Sequence, residues 1–205
     1  MLFEAKSMYA TWESSVKYLL AHYISGSLDL VPTEKGNNSI ELTNVLLTVQ
    51  DVYAHNKPFM NNNNYANDLL KQNQKGNVYS RITKLASING LINQENELVL
   101  KLQDNWFSRR AVITLWQPDE DIDNKYPPCV CMMQFLIRDN KLQLHTVFRS
   151  NDAWTCALQD MQAFIKYQKQ IAKKLNIKAS FYSQYAMSYH IYEQDIQSAK
   201  LYMGV

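Results

Sequence analysis

Apolar positions along the chain repeat with two different periods. Over residues 3–23 they recur at Met8, Trp12, Val16, Leu19, Leu20 and Tyr23, one face of a helix, and Ser25-Gly26-Ser27 closes it. Residues 93–103, with Leu98 and Leu102 at i, i+4, predict a second helix. Residues 152–175 predict a long third one, with Trp154, Leu158, Met161, Ile165 and Ile171 on its apolar side. Asp152 is its candidate N-cap, and Lys173-Lys174 complement the dipole at its far end. Residues 193–202 predict a last helix. Between these the chain is β-branched and aromatic, predicting strands over 40–49, 111–116, 132–137, 142–148 and 179–192. The polar Arg138-Asp139-Asn140-Lys141 reads as a tight hairpin between two of them. Residues 32–38 form a polar loop containing Lys35. Residues 51–77, with the Asn61–Asn64 run, show no clear period beyond a short helix expected over 65–72. Helices and strands mix without a βαβ repeat, so the expectation is an α+β fold with one large mixed sheet.

Composition narrows the class. A chain of 205 residues, 46% hydrophobic and 20% charged, fits a single globular domain over 1–205 with a sizeable core. A net charge of +2 gives no electrostatic case for nucleic acid. No apolar run reaches the ~18 residues of a membrane span, and the N-terminus has no signal-peptide pattern. Three cysteines do not make a disulfide framework, which favours a reducing, cytoplasmic setting. Cys129-x-Cys131 has no second ligand pair at zinc spacing, so no metal is expected.

The chemistry-bearing residues gather at strand ends. Pro127-Pro128 sets Cys129 at the mouth of the 132–137 strand, and Arg149-Ser150-Asn151-Asp152 follows the end of the next. A free thiol titrates near about 8.5, and an adjacent cation raises its thiolate fraction. Arg149 and the pair Arg109-Arg110 are candidate cations. A guanidinium fork also suits a phosphate. A thiol, an Arg-Ser anion grip and His190-Ile191-Tyr192 together suggest a nucleophile acting on a phosphate-bearing substrate. On local chemistry alone a buried structural cysteine and a surface arginine fit equally well.

Four blocks, taken in order, decide between these readings: Arg109-Arg110-Ala111-Val112, Pro128-Cys129 with Gln134-Phe135, Arg149-Ser150-Asn151-Asp152, and His190-Ile191-Tyr192. This succession resembles the thymidylate synthase family, most strongly over residues 93–195. The resemblance implies a thymidylate synthase-like fold and a homodimer formed through the sheet. It implies methylenetetrahydrofolate as cofactor and a pyrimidine nucleoside monophosphate as substrate. Cys129 would add to C6 of the base. Arg149, Ser150 and the partner's Arg109 and Arg110 would hold the phosphate, with Lys35 in the closing loop and Gln134 among the substrate contacts. His190 and Tyr192 would bond the sugar hydroxyl, Asp152 the pterin, and Tyr79 would assist proton removal at C5.

Two departures from the family pattern carry information. The family places asparagine eleven residues after the Arg of Arg-Ser, and this chain has Asp160. An amide answers the N3–H and O4 of uracil, whereas a carboxyl group that accepts from an amine and shares one proton answers cytosine. Within the family, aspartate here resembles the deoxycytidylate and cytidylate 5-hydroxymethyltransferase branch. A solvated helix residue is the plainer reading of Asp160. The second departure is the absence of any glutamate between Glu41 and Glu95, where the family keeps a catalytic one; Asp68 is the nearest substitute. The expected activity is folate-dependent 5-hydroxymethylation of dCMP or CMP. The alternatives are methylation of dUMP and nucleotide binding without catalysis.

Overall fold

Fifteen consecutive residues, Lys178–Tyr192, make the longest strand, and the sheet is assembled on both of its edges. The computed structural model describes residues 1–34, 36–56 and 78–205. The described strands are β1 (Leu2–Ala5), β2 (Val31–Pro32), β3 (Asn38–Val49), β4 (Leu85–Ser87), β5 (Gly90–Ile92), β6 (Val112–Thr114), β7 (Val130–Arg138), β8 (Lys141–Phe148), β9 (Asn151–Asp152) and β10 (Lys178–Tyr192). The described helices are α1 (Met8–Ile24), α2 (Val78–Thr83), α3 (Gln94–Asp104), α4 (Pro118–Asp121), α5 (Ala157–Lys174) and α6 (Glu193–Met203). Among these, one mixed sheet runs β1-β3-β10-β8-β7-β6, with β2 added to β3 and β9 to β10; β4 and β5 pair separately. β10 is antiparallel to β3 and parallel to β8, so the expected α+β class with a large mixed sheet holds.

Local signals explain most of the elements. Asp139 and Asn140 have φ of 49° and 56°, the left-handed pair of a two-residue type I′ turn, and they join β7 to β8 with Arg138 opposite Lys141. Ser7 caps α1 by accepting from the Ala10 N–H, and Asn93 caps α3 through the Asn96 N–H. Two expectations change. Residue Phe3 lies in β1, parallel to β3, and the first helix begins only at Met8. The long helix begins at Ala157, because the Asp152 carboxylate takes the Trp154 and Thr155 N–H groups and folds residues 152–156 into a turn of their own.

Helices α1, α5 and α6 cover one face of the sheet. There Trp12, fully buried, donates its indole N–H to the Ala153 carbonyl at 2.7 Å and lies nearly parallel to the Trp154 ring. Side chains of β7, β8 and β10 alternate, so Phe135, Leu144 and Tyr182 enter this core. Leu136, His145, Val147, Phe181 and Tyr185 stand on the opposite face, half-buried, with no described helix over them. No described helix is long and apolar enough to cross a membrane.

Candidate active site

The tetrapeptide Arg149-Ser150-Asn151-Asp152 follows β8 and sends each residue to a different attachment. Arg149 turns back to the start of β7. Its backbone N–H bonds the Cys129 carbonyl at 2.9 Å. Its Nε donates to the Pro128 carbonyl (3.1 Å), and one Nη to the Pro127 carbonyl (3.0 Å). The same Nη lies 3.9 Å from the exposed Cys129 Sγ. The guanidinium thus holds the Pro-Pro-Cys turn and sets positive charge beside the sulfur, the surroundings that favour a thiolate over a thiol. Its other Nη carries no hydrogen bond among the described residues, and neither does the Ser150 hydroxyl, leaving both for an anion. Trp116 flanks the guanidinium, with its ring centroid 5.9 Å away.

Asn151, buried, donates to the Oδ2 of Asp160 at 2.7 Å. Asp160 is itself only 4% exposed, on the first turn of α5. It is therefore no solvated helix residue, and its buried carboxyl group is compensated by the side-chain amide. Asp152 stands opposite His190 in the β9–β10 ladder. Burial holds His190 below the ordinary histidine pKa, against the opposite pull of Asp152 and Glu41. Tyr192, its ring 4.9 Å from that of His190, is raised first by burial and then by the charges of Asp152, Cys129 and Cys156. These electrostatic neighbours place Tyr192, Asp152, Cys129 and Arg149 in one cluster. Asp152 keeps acceptor capacity beside the half-buried Trp154, a set that fits a flat pterin with N–H donors. No described group of His, Cys, Asp and Glu is arranged for a metal ion.

The remaining predicted residues lie elsewhere. Arg109 and Arg110 are exposed just before β6. Gln134 is placed with them, its Nε2 donating to the Arg109 carbonyl at 2.9 Å. Val112 pairs with Gln134, so Arg110 is level with Leu136 and Cys129 lies about 23 Å back along β7 at ~3.3 Å per residue. The pair cannot reach the thiol of its own chain. Tyr79 sits on α2 and interacts with Tyr167. Lys35, Asp68 and the helix expected over 65–72 lie outside the described residues.

Sequence reasoning missed a buried ion pair that ties α2 to the approach to Cys129. Arg81 donates to both Asp121 oxygens, at 2.7 and 2.8 Å, and to the Leu115 carbonyl. Asp121 also accepts the Gln117 N–H. Burial pushes the Asp121 carboxyl up, but the Arg81 and Gln117 hydrogen bonds outweigh it and hold the group below its ordinary value. The 117–126 stretch thus contains the short α4 and is anchored through Asp121. Asn151 and Gln184 were also missed. The one signal is Gln184, an amide within a strand run that otherwise supplies core.

The family model described as "Thymidylate synthase" matches residues 20–204. A protein of Methanosarcina barkeri named "Putative thymidylate synthase" is 26% identical over 198 residues, 93% of this chain and 89% of that one. One of the same name from Methanococcoides burtonii is 26% identical over 201 residues, 95% and 90% of the two chains. Another, from Methanocaldococcus jannaschii, is 37% identical over 117 residues, 54% and 53% of the two chains.

Proposed function

Because this chain belongs to the thymidylate synthase family, whose members transfer a one-carbon unit from methylenetetrahydrofolate to C5 of a pyrimidine nucleotide, we propose that it 5-hydroxymethylates a cytosine nucleoside monophosphate, dCMP or CMP. The observation that carries this reading is the buried Asp160 carboxyl, held by Asn151 on the segment whose Arg149 grips the Cys129 turn.

The Cys129 thiolate adds to C6 of the base, and the electron pair displaced from the 5,6 double bond makes C5 the nucleophile. Asp160 accepts from the 4-amino group and shares a proton with N3. An ionised carboxylate facing O4 of uracil would instead set like partial charges together, a mismatch of a kind that discriminates by up to roughly 10⁴ in sites built for the hydrogen bond. Arg149 and Ser150 hold the phosphate, while His190, neutral near pH 7, and Tyr192 bond the sugar. Methylenetetrahydrofolate would supply the carbon at the oxidation level of formaldehyde, bonded to C5 as its bond to the folate nitrogen breaks and tetrahydrofolate leaves, and Asp152 would orient the pterin. Tyr79 assists loss of the C5 proton. Water completes the hydroxymethyl group, and the sulfur leaves C6 as the double bond reforms.

Arg109 and Arg110 act in the partner's site, across a homodimer formed through the helix-free face carrying Leu136, Val147 and Phe181. Their distance from their own Cys129 supports this. Lys35 acts in the closing loop, and Gln134 braces the arginine segment.

The names of the relatives favour a second reading, methylation of dUMP. Tritium release from C5-labelled dCMP, CMP and dUMP, with and without methylenetetrahydrofolate, separates the two. Folate-dependent release from a cytosine nucleotide that disappears in Cys129→Ala is the expected result. Release from dUMP alone would refute the base assignment, and release from none would leave nucleotide binding without catalysis.

A further inference from the structure

Asp160 ends a chain of buried side chains that reaches across the sheet. We propose that Asn151 is a positioning residue that keeps Oδ2 of Asp160 an acceptor and so sets the discrimination between cytosine and uracil. The proposal rests on the base-reading role given to Asp160 above.

Hydrogen-bond polarity makes the argument. Asn151 Nδ2 donates to Asp160 Oδ2 at 2.7 Å, and Gln184 Nε2 donates to Asn151 Oδ1 at 2.9 Å. The Tyr182 hydroxyl donates to Gln184 Oε1 at 2.9 Å. That commits its one proton, so Thr146 is the donor in their 2.8 Å contact, its proton shared with the Ser183 carbonyl at 3.3 Å. From Tyr182 onward each of these donors points toward Asp160. Turning the Asn151 amide over would set oxygen against Asp160 Oδ2 and nitrogen against Gln184 Nε2. Reversing the whole chain would require a proton on Oδ2. An ionised Asp160 therefore fixes one orientation for all of them, and in return receives a donor that keeps Oδ2 unprotonated. Water competes little, because Thr146, Asn151, Tyr182 and Gln184 are at most 1% exposed. Burial, and after it the charge of Asp160, keep the Tyr182 phenol well above its ordinary value, so that it stays a donor.

Two of the chain's members, Gln184 and Tyr182, lie on β10, and Thr146 lies on β8. The orientation of the base-reading carboxyl group is thus fixed by the rigid centre of the sheet rather than by the turn that precedes α5. This is the support from behind that a recognition group needs to hold its angle.

The test is calorimetric binding of dCMP, dUMP and 2-deoxyribose 5-phosphate to wild type, Asn151→Leu and Tyr182→Phe. Asn151→Leu keeps the volume and removes the donor. Hydrogen bonds to charged groups are worth enough that the ratio of dCMP to dUMP affinity should fall about tenfold. Binding of the base-free sugar phosphate should stay unchanged, which a general loss of structure would not allow. Tyr182→Phe removes only the terminal hydroxyl and should lower the ratio about two- to threefold, because Gln184 is then free to turn over. Parallel weakening of all three ligands, or an unchanged ratio, overturns the proposal. If Asn151→Leu does not fold, an unchanged ratio in Tyr182→Phe overturns it alone. The wild-type ratio tests the cytosine reading separately. A wild type that prefers dUMP would refute that reading, while the change of ratio in the variants would still decide the role of Asn151.

Discussion

Removing Arg81 should strip the approach to Cys129 of its anchor. In Arg81→Met the Asp121 carboxylate loses two charge-assisted hydrogen bonds and its counter-ion, keeping only neutral partners in the Gln117 N–H and the Asn124 side chain, in a position where the residue is 1% exposed. Breaking a buried pair from one side costs about 3–5 kcal/mol, because the remaining charge stays buried and unpaired. For a chain of this length each kcal/mol moves the melting temperature by about 2–4 °C, so the expected loss is about 6–20 °C by circular dichroism. Replacing both partners, Arg81→Met with Asp121→Leu, leaves no stranded charge and should recover more than half of that loss. Acid supplies a second check. A carboxyl group held below its ordinary value stabilises the fold above that value, and the contribution is lost as pH falls through the lower, folded-state value. The gap between wild type and Arg81→Met should accordingly narrow below about pH 4. Because α2 also carries Tyr79, C5 proton release should fall in the single variant even at temperatures where it is folded. A melting temperature within about 2 °C of wild type, or additive losses in the double variant, would refute the reasoning.

Three further outcomes are expected. Arg109→Ala/Arg110→Ala and Cys129→Ala should each be inactive alone, yet refolded together in equal amounts they should regain about a quarter of wild-type turnover. Half of the dimers would be mixed, with one intact site of two, and absence of recovery would place the arginines in their own subunit. Burial holds His145 and His190 below the ordinary histidine value of 6.5, so protonation of the unfolded chain should reduce stability as pH drops below it. Urea midpoints should therefore decline between about pH 7 and pH 5, and less steeply in His145→Gln/His190→Gln; identical slopes would exclude these two histidines. Asn140→Val, at φ 56°, should cost about 1–2 kcal/mol of unfolding free energy, while Asn140→Gly should change it little; equal effects would argue against the type I′ turn.

Much of this architecture was legible because period and turn chemistry are local. The stripe from Met8 to Tyr23, the Arg138–Lys141 hairpin and the apolar run of β10 each announce their geometry within a few residues. Residues 2–5 were missed because a strand of four residues beside a helical stripe has no period of its own. The start of α5 was misplaced because Asp152 caps a turn with the same hydrogen bonds that would cap a helix. The family resemblance singled out Cys129, Arg149, Asp160 and His190, since their order along the chain carries it. It could not bring out Arg81 with Asp121 or Asn151 with Gln184. Those partners are 40 and 33 residues apart and meet only once the sheet exists.

The central position of β10 also dictates when the protein can come into being. Both of its long neighbours, β3 and β8, precede it in the chain, yet neither touches the other except through it. During synthesis the β7–β8 hairpin and the β1–β3 pair can form early, but they remain two separate pieces until residues 178–192 emerge between them. Each piece meanwhile displays an open edge that would be paired in the finished sheet, and such edges are where nascent chains aggregate. Closure then joins Ser39 to Tyr192 and Lys141 to Lys178 in one event. The same closure brings Asn151 to Gln184 and Asp152 to His190, so the segment between Arg149 and α5 is tied down only when β10 enters the sheet.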